Sequence, residues 1–181
     1  MWLVADEPEH LQFAVAVDMA QRLVAPGDTL DTDRRQYVQR LTRLRLHQQV
    51  FRARVLQAYA RTCAMCRLRV VDLVDAAHIL PDGHPRGAPV VPNGLALCKI
   101  HHAAFDRHIL GIRPDFVIQV RRDILRETDG PMLRHGLQEM VGVRVLLPSS
   151  PRAHPDRERL RERYEMFCRA SPPPDEASRP A

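Results

Sequence analysis

Hydrophobic side chains recur at helical spacing in three places within the first 60 residues. Over residues 9–24, large apolar residues return every four positions, which predicts an amphipathic helix that ends at a Pro-Gly-Asp turn. A second helix is expected over residues 34–44, and a third, basic helix over residues 48–59. We therefore predict that residues 1–45 form a helical N-terminal extension.

After residue 60 the apolar runs are shorter and are separated by turn residues. They predict short strands and helices in mixed order, which is typical of an α+β domain spanning residues 46–170. Residues 171–181 are rich in proline and polar residues and predict a disordered tail. The expected elements are a helical turn and strand in 70–80, an extended piece over 95–97, a helix over 101–107, strands over 116–120 and 143–147, and a helix over 155–170.

Positive charge is concentrated in one part of the chain. The formal net charge is +5, but ten arginines and no acidic residue fall between Arg34 and Arg69. Such an asymmetry is typical of a surface that binds a polyanion, with DNA the first candidate; the alternative is a solvated helix face. The candidate phosphate-binding residues are Arg43, Arg45, Arg52, Arg54, Arg67 and Arg69.

The chain contains no apolar run of membrane-spanning length and no secretory signal at its N-terminus. We therefore expect a cytoplasmic protein with no membrane partner. In the reducing cytoplasm, clustered cysteines are more often metal ligands than disulfides.

Three of the four cysteines stand in two short pairs that predict a zinc site. Cys63-x-x-Cys66 is followed by Cys98-x-x-His101. Each pair can direct two side chains at one ion, and two pairs complete a tetrahedron of thiolates and imidazole, which suits structural Zn²⁺. A site closed by four protein ligands stabilises the fold without doing chemistry. The alternative is a set of buried cysteines without a metal.

Residues around the second zinc pair resemble a known family. The segments AHI, NGLALC and HHAAFD are similar to those of zinc-containing HNH nucleases of the ββα-metal group, also called His-Me finger nucleases. His78, Asn93 and His102 occupy the three positions of the HNH motif. More closely, residues 46 to about 169 resemble the nuclease domains of predicted bacterial HNH restriction endonucleases, including the segments RLHQQVFRARVLQAY and DGPMLRHGLQ.

The resemblance implies a fold and a reaction. Two antiparallel strands and a helix would hold a catalytic divalent cation such as Mg²⁺ or Mn²⁺ within a zinc-stapled ββα core, flanked by N- and C-terminal helices. His78 would be the general base for water attacking a DNA phosphodiester. Asn93 would orient His78 by a hydrogen bond, and His102 would bind the cation. Arg107, next to this helix, is a candidate for contacting the scissile phosphate.

The remaining ligands of the catalytic cation are open. Asp106 lies four residues after His102, on the same helical face, and is a candidate ligand; its alternative role is a salt bridge. Many HNH enzymes have an acidic ligand directly before the base histidine, where this chain has Ala77. Asp75 falls on the opposite strand face and would contribute only if the strand bends. We assign no role to His84 or His108 and expect both to be exposed.

Two function classes therefore compete. The first is a metal-dependent DNA endonuclease, with restriction of foreign DNA as its context. The second is a catalytically silent zinc module that binds nucleic acid, which the missing acid at Ala77 favours. A protein-interaction domain without DNA affinity is a third reading, which the arginine run opposes. No segment resembles a base-reading module, so a separate specificity protein or domain is expected as a partner.

Overall fold

The computed structural model describes residues 2–7, 12–16 and 47–171. The chain divides into two compact units, Met1–Val50 and Phe51–Ala181. None of the helices in the described ranges is both long and apolar enough to cross a lipid bilayer. The elements are β1 (Trp2–Glu7), β2 (Gln12–Ala16), α1 (residues 47–58), β3 (Val74–His78), β4 (Gly94–Cys98), α2 (Lys99–Asp106), β5 (Leu110–Ile112), β6 (Ile118–Val120), α3 (Arg122–Arg126), α4 (Pro131–Gly136) and α5 (Arg157–Ala170).

The first unit contains an antiparallel pair of strands, β1 and β2, with Leu3 opposite Val15. The helix predicted over residues 9–24 is therefore wrong across Gln12–Ala16. The apolar residues Phe13 and Val15 also fit a two-residue alternation, and antiparallel pairing with β1 favours that pattern over the helical one. The rest of that prediction, the helix expected over 34–44 and the tail lie outside the described residues.

The centre of the second unit is the antiparallel hairpin of β3 and β4, followed directly by α2. Val74 lies opposite Cys98, and His78 opposite Gly94, so the two strands match along their full length. Every residue of β4 is buried, because α1 and α2 cover this hairpin. The α+β class and the predicted order of strand, strand and helix are confirmed.

The turn after α1 joins this hairpin to the rest of the core. Cys63 and Leu68 are linked by a main-chain hydrogen bond of 2.9 Å, which closes a tight knuckle. Arg67 has φ of 65°, in the left-handed region that such a turn requires. The main-chain nitrogen of Ala64 donates to the oxygen of Ala96 in β4 (2.7 Å), so the knuckle is fixed to the hairpin.

A second hairpin, β5 and β6, packs against the long C-terminal helix α5. A side chain on Gly111 of β5 would overlap the ring of Phe167 in α5, at 2.6 Å, so this glycine permits the close approach. β5 was not predicted, because three residues containing a glycine give no strand pattern. The short helices α3 and α4 were missed for the same reason of length.

The strand predicted over residues 143–147 is wrong. Only Arg144 makes an isolated bridge, to Val117. Val145 still donates to the main-chain oxygen of Phe116 (2.9 Å), and the chain then turns away from this segment. The main-chain nitrogen of Leu146 donates instead to the oxygen of Ala64, in the cysteine knuckle (2.7 Å). Competition from this tertiary hydrogen bond explains why an apolar, β-branched run does not continue as a strand.

Candidate active site and metal centre

The two cysteine-containing pairs meet at one point of the second unit. Cys63 and Cys66 come from the knuckle, Cys98 ends β4, and His101 lies in the first turn of α2. Their ligand atoms all lie within 4.8 Å of one another. Nδ1 of His101 is 3.2 Å from Sγ of Cys98 and 3.5 Å from Sγ of Cys63.

These distances fit a tetrahedral zinc ion. Ligand bonds of about 2.0–2.3 Å place tetrahedral ligands roughly 3.3–3.8 Å apart. The sulfurs of Cys66 and Cys98 are 3.9 Å apart, far beyond a disulfide bond, and all three cysteines are free. Three soft sulfur donors and one imidazole are the donor set that structural Zn²⁺ takes, so this Cys3His cluster is suited to hold zinc.

The electrostatics of the cluster pair a thiolate with an imidazolium. Burial lowers the pKa of His101, but hydrogen bonds with Cys63 and Cys98 outweigh it and raise the pKa to about 10. The pKa of Cys63 is lowered, chiefly by its hydrogen bond with Cys66. Thiolate and imidazolium are therefore stabilised together, and zinc binding would displace the shared protons.

His101 is oriented by a carbonyl oxygen from α4. Its Nε2 lies 2.7 Å from the main-chain oxygen of Gly136, an acceptor, so the proton belongs on Nε2. With zinc bound, the neutral ring would keep this proton, and the lone pair of Nδ1 would face the ion between the sulfurs. This is the usual way in which a metal-binding histidine is fixed in one tautomer, and no sequence pattern pointed to Gly136.

His78, at the end of β3, forms a second centre with α1. Its ring stacks on Phe51, with centroids 4.0 Å apart and an interplanar angle of 16°. The opposite residue on β4 is Gly94, whose missing side chain leaves the space that α1 occupies: a Cβ there would lie 2.4 Å from Val55 and 3.0 Å from Phe51. The glycine of the NGLALC segment thus lets the helix approach and bring Phe51 onto His78.

The surroundings keep the imidazole of His78 neutral. Burial lowers the pKa of His78; the charges of Asp82 and Asp106 oppose this effect and that of His102 adds to it. Its Nε2 is buried and has no hydrogen-bond partner among the described residues. Asp82, four residues after His78 in an exposed loop, is a nearby carboxylate that the sequence analysis did not identify.

His102 and Asp106 lie together on α2, as the four-residue spacing predicted. Nε2 of His102 is 3.3 Å from Oδ2 of Asp106. Their side chains are 25% and 54% exposed, whereas the adjacent His101 is buried. The helix therefore directs neighbouring histidines to two environments, one closed and one open to solvent.

Asn93 is fully buried, but its amide does not bind His78. Its Oδ1 accepts from the main-chain nitrogen of Leu80 (3.0 Å), and its Nδ2 donates to the oxygens of Leu80 and Ala88. The predicted hydrogen bond to His78 is therefore wrong. Because these contacts fix the chain two residues beyond His78, the amide stabilises the backbone on which the histidine stands.

No carboxylate from β3 faces the pair of His102 and Asp106. Ala77 is fully buried, and Asp75 binds Arg52 at 2.8 Å and Lys99 at 2.8 Å. These two ion pairs account for both oxygens of Asp75. Strand β3 does not bend to bring Asp75 towards His102, in agreement with the position of Asp75 on the opposite strand face.

The candidate DNA-binding arginines differ in their surroundings. Arg52 is held by Asp75 and by the main-chain oxygen of Val74. Arg43 and Arg45 lie outside the described residues. The other four are exposed: Arg54, Arg67, Arg69 and Arg107.

The expectation of exposure for His84 and His108 is wrong. His84 is partly buried and lies 2.9 Å from Glu162 of α5. His108 is partly buried too, and its Nδ1 has no partner among the described residues. The burial of both histidines depends on packing between segments that are distant in sequence, and the polarity of the neighbouring residues does not predict it.

The part of the chain that contains these two centres is also the part that is similar to a known protein family. Residues 63–113 match the family model described as HNH endonuclease. The match runs from the cysteine knuckle to the end of β5. It includes the Cys3His cluster and the three predicted motif residues, and the resemblance seen in the sequence is confirmed there.

Beyond the HNH segment the similarities are weaker. A solved structure described as modification dependent TagI restriction endonuclease is 21% identical, with a TM-score of 0.46. The alignment covers 71% of this chain and 40% of that one, so this chain spans less than half of that protein's length. A search of curated protein sequences gave no significant match.

Proposed function

We propose that the chain is a metal-dependent DNA endonuclease that hydrolyses phosphodiester bonds. One observation carries the proposal: α2 presents His101 to the closed Cys3His cluster, and the next residue, His102, to a separate, solvent-open pair with Asp106. Successive residues of a helix point about 100° apart, which permits this division. A structural ion and a catalytic ion then have different sites on one short helix.

The open pair has the donors that a hydrolytic cation needs. An imidazole nitrogen and a carboxylate oxygen 3.3 Å apart can both reach one ion, and their exposure leaves other positions free for water and phosphate. Mg²⁺ or Mn²⁺ bound by His102 and Asp106 would supply positive charge to the phosphate and to the leaving oxygen. Asp82 is a further candidate ligand from the loop after β3.

His78 is the proposed general base. Because the pKa of His78 is lowered, its imidazole is neutral at neutral pH, and the nitrogen that carries no hydrogen can take a proton from water. Once that proton is on the ring, the carboxylates of Asp82 and Asp106 stabilise the imidazolium. Stacking on Phe51 fixes the plane of the ring throughout.

The DNA backbone would be bound by exposed arginines. Arg107 directly follows α2 and is nearest in sequence to the proposed cation site, while Arg54, Arg67 and Arg69 are exposed around α1 and the knuckle. Contacts of this kind are independent of sequence and weaken as salt rises. A separate specificity protein or domain is accordingly part of the proposal.

Plasmid cleavage tests the proposal directly. Supercoiled DNA would be incubated with the zinc-loaded protein and Mg²⁺, Mn²⁺, Co²⁺ or Ni²⁺ in turn. We expect nicking with at least one cation, its loss in His78→Ala and His102→Ala, and its retention in His135→Ala, an exposed histidine paired with Glu139. Equal cleavage by the His78→Ala protein, with zinc content and circular dichroism unchanged, would refute the assignment.

A silent zinc module that binds nucleic acid is the second candidate. The buried Ala77 and the fully paired Asp75 favour it, because β3 supplies no acidic ligand. It predicts salt-sensitive DNA binding with no cleavage under any of the four cations.

Restriction of foreign DNA in the cytoplasm is the biological role that we propose for an active nuclease. Phage plating on cells that express the chain, compared with His78→Ala cells, tests it. Equal plating efficiency would contradict this role and would leave the cleavage assay unaffected.

A further inference from the structure

Two adjacent residues of α5, Glu162 and Arg163, contact the two segments that flank the candidate active site. One segment is the loop over residues 81–90, which follows His78. The other is the C-terminal end of α2. Both residues lie outside the matched HNH segment, 49 or more positions beyond its end at residue 113.

Arg163 binds the end of α2 from inside the core. Its side chain is only 9% exposed. Its Nη2 donates to the main-chain oxygens of Phe105 (2.9 Å) and Asp106 (3.4 Å), and the guanidinium lies 4.8 Å from the centre of the Phe105 ring. A cation that satisfies the last carbonyls of a helix fixes where that helix ends.

The same guanidinium lies next to the proposed cation ligand. Nη2 of Arg163 is 3.9 Å from Oδ1 of Asp106, and Oδ2 of that carboxylate is 3.3 Å from Nε2 of His102. Arg163 therefore restricts both the backbone and the side chain of Asp106. Because Arg163 would act on the cation only through Asp106, its role is positioning.

Glu162 holds the loop after His78. Its carboxylate lies 2.9 Å from Nε2 of His84 and also pairs with Arg86. One turn earlier on α5, Nε of Arg159 donates to the main-chain oxygen of Arg86 (3.0 Å). Near the other end of the loop, Nδ2 of Asn93 donates to the main-chain oxygen of Ala88 (3.2 Å). The loop is therefore held both in its middle and near its end.

We propose that α5 is a positioning element that keeps the loop after His78 and the end of α2 at the separation that catalysis requires. Because the base stands before one segment and the cation ligands on the other, their relative position sets how water meets the phosphate. This inference rests on the proposed nuclease function. A misplacement of about 1 Å can lower a rate on the order of 100-fold without weakening substrate binding.

The experiment compares Glu162→Gln, Arg163→Met and Arg163→Lys with two control variants on the same helix. The controls are Glu158→Gln and Arg161→Met, whose side chains are exposed and pair with each other. For each protein, kcat and KM for plasmid nicking are measured. Amide hydrogen exchange is measured separately in the loop over residues 81–90 and at the end of α2.

We expect a specific pattern. Glu162→Gln speeds exchange in the loop alone, and Arg163→Met at the end of α2 alone. Both lower kcat on the order of 10- to 100-fold, with KM within about threefold of wild type. Arg163→Lys, which keeps the charge, recovers most of kcat, and the controls match wild type.

Three results would separate the two proposals. Variants that match the controls in both exchange and kcat would overturn the positioning role. Wild-type protein that never nicks DNA would refute the nuclease, and exchange alone would then decide whether α5 holds the two segments. If Arg163→Met does not fold, Glu162→Gln decides the outcome, and wild-type loop exchange and wild-type kcat in that variant would overturn the positioning role.

Discussion

Adding one methyl group at Gly94 should disturb the contact between α1 and the hairpin. The new Cβ would lie 2.4 Å from Cγ2 of Val55 and 3.0 Å from Cζ of Phe51. Val55 is fully buried and Phe51 is 3% exposed, so neither can turn out into solvent. A β-branched side chain in a helix is also confined to one rotamer. We expect Gly94→Ala to lower the free energy of unfolding by about 1–3 kcal/mol, the usual cost of overpacking a core.

A double-mutant cycle identifies the cause of that loss. Val55→Ala alone should cost about 2–3 kcal/mol, because it removes buried methyl groups and leaves a cavity. In the double variant Gly94→Ala/Val55→Ala, the methyl group added at position 94 occupies space left by the removed methyl groups of Val55. The double variant should therefore be more stable than the sum of the single losses predicts, by roughly 0.5–3 kcal/mol.

Urea unfolding of the zinc-loaded proteins, followed by circular dichroism, measures all four corners of the cycle. Gly83→Ala is the matched control, because a Cβ there meets nothing within 4 Å. It should leave stability unchanged or raise it slightly, since alanine narrows the unfolded ensemble. Strictly additive losses in the cycle would refute the view that Gly94 is needed for the close approach of α1.

Three further predictions concern the two centres. Cys63→Ser should abolish zinc binding and the native circular dichroism spectrum, because zinc affinity on the order of 10 kcal/mol is part of the folding energy. The control Cys168→Ser, at an exposed cysteine, should keep both. A folded, zinc-free Cys63→Ser protein would contradict the proposed stabilisation of the fold by zinc. Phe51→Leu should admit water around His78 and raise its lowered pKa toward 6.5, so the acid limb of kcat/KM moves to higher pH; an unmoved limb would show that burial by Phe51 is not the cause. Asn93→Ala should lower the free energy of unfolding in urea by about 2 kcal/mol or more, because it removes three hydrogen bonds, two of them buried. A loss below about 0.5 kcal/mol would argue against a stabilising role for this amide.

The parts that sequence predicted correctly are those whose signals are local. The four residues of the Cys3His cluster stand in two pairs with two intervening residues, so the knuckle and the first turn of α2 each bring two of them together. His102 and Asp106 needed only the period of one helix. Neither inference required knowledge of how distant segments pack.

The parts that sequence missed depend on long-range packing. Asn93 was assigned to His78 from the motif, but its amide partners are set by the path of the loop it closes. Arg163 is 57 residues from Asp106 along the chain, and a charged helix gives no sign of which arginine turns inward. The helix predicted over 9–24 failed because the same residues satisfy two periodicities, and only pairing with β1 decides between them.

The direction of α2 links the two centres physically. The helix has eight residues and begins directly after Cys98, so it has little stability of its own. Its start is set by the cluster that contains His101, and its end by the guanidinium of Arg163. With both ends fixed, the rotation of the helix about its axis is fixed as well, and that rotation decides where His102 points. In the proposed nuclease, zinc held by the Cys3His cluster would therefore influence hydrolysis without contacting DNA, because the cluster determines the direction of the neighbouring imidazole.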